Sequence, residues 1–106
     1  MNLETSIAQL IEADARWPEA IRAAVEWPEA QRAKGASEAF RRDTLFHWLG
    51  QPEAGVPVLT PLVRVGILAR DITNANGTPY YRLAMHPRDV RDALSRAIAR
   101  TGWTRS

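Results

Sequence analysis

The sequence predicts a mainly α-helical domain with one β-hairpin, an α+β fold. Two runs with strand character, 67–72 and 79–83, flank the polar segment 73–78, whose Asn, Gly and Thr residues suit a turn. Apolar residues recur at helical spacing on both sides of this hairpin, with Pro and Gly at the expected ends. The chain has 106 residues, 45% of them hydrophobic and 25% charged, which predicts a single domain over 1–106.

The first part of the chain, 1–36, predicts a helical extension. Asn2 can cap a first helix that carries one apolar stripe. A short repeat, Trp-Pro-Glu-Ala, follows at 17–20 and 27–30. Each copy suits a helix start, because proline needs no donor there and glutamate faces the positive end of the helix dipole. We therefore expect either two short helices or one broken helix across 18–34.

The two tryptophans of this repeat have two interpretations. Trp17 and Trp27 can pack the helix starts onto the core, or they can form an exposed surface for a partner. Large aromatic residues are highly buried on average, which favours core packing.

A further helix is predicted from Glu38 to Leu49. Gly35 indicates the end of the preceding helix, and Ser37 has the residue type of an N-cap. The helical spacing predicts that this helix buries one broad face and leaves three charged residues in solvent. The buried face is Phe40, Leu45, Trp48 and Leu49, and the solvent residues are Arg41, Arg42 and Asp43.

A short apolar helix is predicted near 57–65, with Gly66 as its stop. Pro61 leaves two possible starts, because a proline inside a helix loses a hydrogen bond and crowds the preceding turn. Either a kinked helix begins at Pro57, or Thr60 caps a helix whose first residue is Pro61.

The segment 86–102 predicts a C-terminal helix. Pro87 suits its first position, and Gly102 its end. The helix has a narrow apolar stripe, as does the N-terminal helix. Two such terminal stripes predict an interface shared between copies of the chain, a homodimer. The stripes are Leu3, Ile7, Leu10 and Ile11, and Val90, Leu94, Ala97 and Ile98.

The order of these elements over 38–83 resembles the winged helix-turn-helix DNA-binding regulators of the ArsR or MarR kind. The resemblance lies in Leu59, Leu62, Gly66-Ile67-Leu68, Asn76-Gly77 and Tyr80-Tyr81-Arg82-Leu83. It implies a winged-helix core over 37–83, with 38–49 as the first helix of the helix-turn-helix. In such a core 57–65 would be the recognition helix and 73–78 the wing tip. Family members often dimerise through terminal helices.

The resemblance implies that this protein is a small transcriptional regulator that binds double-stranded DNA. Thr60 and Arg64 would read base edges from one face of the recognition helix. Arginines elsewhere would hold phosphates, and the asparagines of the wing would contact the minor groove or the backbone. These residues are Arg41, Arg42 and Arg70, and Asn74 and Asn76.

A second hypothesis is a protein-interaction adaptor or inhibitor that does not bind DNA. Only Thr60 and Arg64 are polar in the predicted recognition helix, and the wing tip lacks arginine and lysine. The apolar helix 57–65 or the tryptophan segment would then contact a protein partner.

The charge distribution favours a polyanionic partner for the second part of the chain. Residues 1–40 contain seven acidic and four basic residues, a net charge of −3. Residues 41–106 contain ten arginines and five acidic residues, a net charge of +5. A compositional preference for arginine over lysine is the alternative explanation.

Several other classes of function find no support in the sequence. There are no cysteines and only two histidines, which excludes disulfides and thiolate or histidine-rich metal sites. Asp43 and His47 are four residues apart on one predicted helix, but no serine or threonine completes a triad. We expect no enzyme and no cofactor. No apolar run is long enough to cross a membrane, and no signal peptide is recognisable, so a cytoplasmic location is expected.

Overall fold

The computed structural model describes residues 2–51, 55–73 and 77–104. The described chain is mainly helical, at 60%, with one antiparallel two-stranded hairpin, so the predicted fold class is confirmed. The elements are α1 (Leu3–Ala13), α2 (Trp17–Ala33), α3 (Arg42–Leu49), α4 (Thr60–Arg64), β1 (Leu68–Thr73), β2 (Pro79–Leu83) and α5 (Pro87–Thr101).

Helix α1 begins as predicted. Asn2 Oδ1 accepts a hydrogen bond from the Thr5 N–H at 2.8 Å, which satisfies one of the free donors of the first turn. Ile7 and Ile11 are buried, while Leu3 and Leu10 are partly buried against the same core.

Helix α2 is one continuous helix of 17 residues, where the sequence predicted two short helices or a broken one. Pro28 lies in its interior, so the helix lacks one backbone hydrogen bond there. Burial of the helix along its length offsets this cost, and the Pro28 ring is itself buried. Trp17 is 4% exposed, and Trp27 packs edge-on against Phe40 with 5.8 Å between ring centroids. Core packing of both tryptophans is confirmed.

Helix α3 begins at Arg42, so the predicted start at Glu38 with Ser37 as its cap is wrong. Phe40 forms an isolated β-bridge with Tyr81 instead. The Phe40 N–H donates to the Tyr81 carbonyl at 2.9 Å, and the Tyr81 N–H donates to the Phe40 carbonyl at 2.7 Å. These bonds hold residue 40 beside the hairpin, which prevents the helix from including it.

One predicted core residue of α3 faces solvent. Leu45 is fully buried and Leu49 is half-buried, so these two residues, four apart, set the inward face. Trp48 lies to one side of that face and is 42% exposed, which corrects the prediction that it is buried.

Helix α4 is short and starts at Thr60, so of the two predicted starts the one at Pro57 is wrong and the short helix is close to the one observed. Pro61 lies in the first turn, where its missing donor leaves no hydrogen bond unmade. Thr60 is the first helical residue rather than the cap. Burial of Leu62 holds this five-residue helix on the core.

The predicted stop at Gly66 is confirmed. Gly66 has φ +88°, a conformation in which other residues are strained. Its N–H donates to the Val63 carbonyl at 3.1 Å, and the Ile67 N–H donates to the Leu62 carbonyl at 3.0 Å. These two bonds form a Schellman motif and turn the chain directly from α4 into β1.

The hairpin also agrees with the prediction to within one residue. Strands β1 and β2 pair antiparallel, with a register irregularity between Arg70 and Thr73. Residues 74–76 of the predicted wing tip lie outside the described residues. The paired residues are Leu68 with Leu83, Ala69 with Arg82, Arg70 with Tyr81, and Thr73 with Pro79.

Helix α5 has its predicted bounds and packs mainly on α1 and α2. His86 Nδ1 accepts a hydrogen bond from the Arg88 N–H at 3.1 Å and caps the helix start. Val90, Leu94 and Ala97 are buried in the cluster that also contains Ile7 of α1. The two terminal stripes therefore contribute to one core within a single chain.

Candidate nucleic-acid interface

Helix α4 has one face in the core and one in solvent. Leu62, and Leu59 just before the helix, are fully buried. Thr60 and Arg64 are exposed, one helical turn apart. Arg64 has no hydrogen bond or ion pair within the described residues, so its guanidinium is available to a ligand.

Arg70 is the second exposed arginine of this region. It lies in β1, two residues after the strand begins, and α4 and β1 pack against each other. Its side chain also has no hydrogen bond or ion pair in the described part of the chain. Arg64 and Arg70 thus present two unneutralised positive charges on either side of the turn at 65–67.

Arg41 precedes α3 and forms a weak surface pair. Its Nε lies 3.3 Å from Asp43 Oδ1, and its guanidinium carbon lies 5.8 Å from the centroid of the Tyr80 ring. Asp43 Oδ1 accepts no hydrogen bond from the described residues, so the contact lacks hydrogen-bond geometry. Exposed pairs of this kind contribute about 0–1 kcal/mol, and Arg41 can therefore exchange Asp43 for a phosphate.

Arg42 has a different environment from the one predicted. The sequence places it in solvent as a phosphate contact, but its side chain is half-buried. Its Nε lies 3.1 Å from the carbonyl oxygens of both Val56 and Pro57, and its terminal amino group also donates to Val56. The guanidinium carbon lies 4.9 Å from the centroid of the Phe46 ring. The Arg42 guanidinium therefore binds carbonyl groups of its own chain, where the sequence predicts a phosphate contact.

The remaining predicted contacts, Asn74 and Asn76, lie outside the described residues. The structure therefore groups Thr60, Arg64 and Arg70 on α4 and β1, and it places Arg41 at the start of α3. No hydrogen bond or ion pair joins these four side chains to one another in the described part of the chain.

A groove that the sequence analysis missed lies beside this region. It has a volume of about 340 Å³ and is bounded by the start of α3, residues 58–59 and the start of β2. Val58, at its edge, is 60% exposed. In an extended segment Val56 and Val58, two residues apart, would share one face, so the sequence carries no signal that separates the buried Val56 from the exposed Val58. Phe46, Val58, Leu59, Pro79 and Tyr81 form the apolar lining, with Arg41, Arg42, Asp43 and Thr78 at the rim.

Two carboxyl groups with shifted pKa values lie elsewhere on the surface. A hydrogen bond from the Arg16 side chain lowers the pKa of Asp14, and one from Arg32 lowers the pKa of Glu38. The first pair lies just before the start of α2, and the second joins the last turn of α2 to the segment that follows it. Both pairs stabilise the chain on either side of α2, and neither is part of the α4–β1 surface.

The described residues show neither a metal-binding cluster nor a helix that could span a membrane. No group of three or more His, Asp or Glu side chains among them is placed to hold a metal ion. None of the helices in 2–51, 55–73 and 77–104 has both the length and the apolar character needed to cross a membrane.

The chain matches no protein-family model, and comparisons with curated proteins and with solved structures also give no match. Proposals about its function therefore depend on the residues and contacts described above.

Proposed function

We propose that this protein is a small winged-helix regulator that binds double-stranded DNA through α4 and the hairpin. The observation that carries the proposal is Arg64. It is exposed and has no partner in the described chain, and it projects from a helix whose opposite face is fixed in the core by Leu59 and Leu62.

The order of elements supports this proposal. Helices α3 and α4 are consecutive, and α4 leads through Gly66 into a hairpin that corresponds to the wing. The bridge between Phe40 and Tyr81 attaches the segment before α3 to the same hairpin. In helix-turn-helix proteins the second helix enters the major groove, which here is α4.

The short α4 limits how many bases the protein can read. Five residues at 1.5 Å each span about 7–8 Å, and Thr60 and Arg64 are its two exposed polar side chains. Arginine can bind guanine O6 and N7 with two hydrogen bonds, and a threonine hydroxyl can contact either kind of base pair. Sequence preference should thus be confined to one or two base pairs, with most of the affinity coming from phosphates.

The phosphate contacts would come from the arginines beside α4. Arg70 is exposed and unpaired in the described structure, and Arg41 has only its weak pair with Asp43. The net charge of +5 over 41–106 favours approach to a polyanion.

Duplex binding measured by fluorescence anisotropy, with a salt titration, tests this proposal. Arg64→Ala should weaken binding to a preferred duplex by about 1–3 kcal/mol and relax the preference at one base pair. Arg70→Ala should weaken binding to all duplexes alike and reduce the salt slope by about 0.9.

Arg96→Ala is the matched control for this experiment. Arg96 is also exposed and unpaired among the described residues, but it lies on α5 beside Asn2 and Glu4. Its removal changes the net charge equally and should leave duplex affinity nearly unchanged. Absence of duplex affinity in the parent protein at about 50 mM salt would contradict DNA binding, since phosphate contacts are strong at low salt.

A protein-interaction adaptor is the second candidate, and one observation favours it. Val58 and Trp48 are the exposed large hydrophobic residues of the described chain, at 60% and 42%. The predicted partner surfaces, the apolar helix and the tryptophan segment, are less suitable, because Leu62 of α4 and Trp17 of α2 are buried. An adaptor predicts that Arg64→Ala has no effect on function and that Val58→Asp abolishes it, which separates the two candidates.

A further inference from the structure

We propose that Arg42 is a positioning residue that fixes the orientation of α4 relative to α3. Its guanidinium donates hydrogen bonds to the carbonyls of two residues that are 14 and 15 positions later in the sequence. Arg42 is the first residue of α3, and the carbonyls that it binds belong to Val56 and Pro57, just before α4. The significance of this contact for DNA recognition depends on the proposed function, but the contact itself does not.

The contact satisfies backbone groups that secondary structure leaves without partners. Val56 and Pro57 are buried and lie between α3 and α4, outside any helix or strand ladder. A buried carbonyl without a donor costs about 1–3 kcal/mol, so a donor at this place stabilises the segment. Arg42 supplies donors to both carbonyls at once.

The side chain must be arginine for this geometry. A guanidinium is planar and donates in several directions, so it can bridge two carbonyls while its carbon lies 4.9 Å from the centroid of the Phe46 ring. A lysine ammonium has the same charge and similar reach, but it is a point donor. Arg42→Lys therefore retains the charge and loses the bridging geometry.

Loss of the Arg42 hydrogen bonds should affect α4 most, because this helix is short and its orientation depends on a few contacts. It has five residues, and its attachments are the buried Leu59 and Leu62, its closing turn into β1, and the clamped segment 56–57. Without the clamp, the segment that enters α4 loses its hydrogen bonds to α3. Helix α4 then depends on Leu59, Leu62 and its turn into β1 alone, so the direction in which Arg64 projects is less narrowly fixed.

Amide hydrogen exchange of the free protein, followed by NMR, tests the clamp directly. The N–H groups of Val65, Gly66 and Ile67 donate to carbonyls of α4 and report its opening. In Arg42→Ala and Arg42→Lys their exchange should accelerate about tenfold or more, as loss of one charged hydrogen bond predicts. Amides of α5, such as that of Leu94, should change much less.

Arg41→Ala is the matched control. It removes the neighbouring arginine, which contacts Asp43 and Tyr80 and not the 56–57 segment, so exchange in α4 should stay at the parent rate. Unchanged exchange at 65–67 in the Arg42 variants would overturn the proposal. An equal acceleration in α1 and α5 would overturn it as well, because it would indicate a general loss of stability. If Arg42→Ala does not fold, Arg42→Lys alone decides.

Duplex binding adds a readout that separates positioning from phosphate contact. A positioning role predicts that both Arg42 variants lose affinity about tenfold while the salt slope stays that of the parent protein. Rescue of affinity by Arg42→Lys, with a lower slope in Arg42→Ala, would overturn positioning in favour of a phosphate contact. If the parent protein binds no duplex, the proposed function fails, and hydrogen exchange still decides whether Arg42 is a clamp.

Discussion

Arginine side chains of this protein divide into those that are bound within the chain and those that are not. Eight of the twelve in the described residues contact carboxylates or backbone carbonyls. Net charge therefore overstates the cations available to a polyanion, and the available ones concentrate on α4, β1 and α5. The four without such a contact in the described structure are Arg64, Arg70, Arg88 and Arg96.

The pair between Arg16 and Asp14 should make stability depend on pH. Because the pKa of Asp14 is lowered in the folded state, its ionised form stabilises the fold above the unfolded pKa of about 3.9. That contribution is lost as the pH falls through the folded pKa. When the pH falls from 7 to 3, the free energy of unfolding of the parent protein should therefore decrease by up to about 1 kcal/mol more than that of Asp14→Asn.

Urea unfolding at the two pH values measures this difference. The asparagine side chain can still accept the hydrogen bond that the Arg16 N–H donates to Asp14, so the local turn is retained. Glu12→Gln, at an exposed acid without an ion pair in the described structure, is the control and should behave as the parent protein does. Identical acid sensitivity of Asp14→Asn and the parent would contradict the prediction.

Leu62 tests whether α4 is oriented as described. It is fully buried, so Leu62→Ala should lower the free energy of unfolding by about 2–5 kcal/mol, through lost burial and the cavity left behind. Val58→Ala, at a residue that is 60% exposed, should change it by less than about 0.5 kcal/mol. A loss of less than about 1 kcal/mol for Leu62→Ala in urea melts would mean that Leu62 is exposed and that α4 is oriented differently.

At the scale of elements, local signals predicted the structure well where the cause is local. Pro87 and Gly102 bound α5 as predicted, because helix initiation by proline and termination by glycine depend on nearby backbone groups alone. The start of α3 was mispredicted by four residues, since Phe40 pairs with Tyr81, which is 41 positions away in the sequence. A distant partner leaves no signature in the residues around position 40.

In the candidate site, too, features with a local cause were predictable from the sequence and features that depend on distant residues were not. The exposure of Thr60 and Arg64 follows from helical spacing against Leu59 and Leu62, so the sequence predicted that face of α4. The environment of Arg42 depends on carbonyls of a segment without regular structure, and backbone carbonyls are not visible as residue types. The same limitation explains why the groove beside Val58 was missed.

The junction between α4 and β1 depends on the backbone conformation of Gly66. At φ +88° the backbone of a residue with a Cβ is strained. The space for a Cβ is sufficient, because the nearest atom to it would be Met85 Cε at an ordinary contact distance of 3.8 Å. Gly66→Ala should therefore cost about 1–2 kcal/mol through the backbone alone. Gly66→Asn should cost less, because asparagine adopts this conformation more readily. Thermal or urea unfolding in which alanine and asparagine are equally tolerated would contradict this explanation.

The whole molecule is organised by one core that includes both terminal helices. Helices α1 and α5 pack together, and polar contacts join their ends. Arg100 donates to Thr5 Oγ1 at 2.9 Å, and Trp103 Nε1 donates to the Ala15 carbonyl at 2.9 Å. The apolar stripes that predicted a homodimer are thus largely used within the chain, and a dimer must use what they leave exposed.

A groove of about 190 Å³ lies between α2 and α5 in the described residues, with Ser95 among its lining residues. Its apolar lining consists of Val25, Val90, Leu94 and Ile98. If the chain forms the predicted homodimer through its terminal helices, this groove should be covered in it.

Light scattering at high micromolar concentration should then give the mass of a dimer for the parent protein. Ser95→Arg should shift the mass to that of a monomer, because Ser95 is exposed and a large charged side chain there blocks the groove without entering the core. Ser95→Ala keeps the groove open and should remain dimeric. A monomer mass for the parent protein would contradict the dimer itself, and a dimer that persists in Ser95→Arg would exclude this groove as its interface.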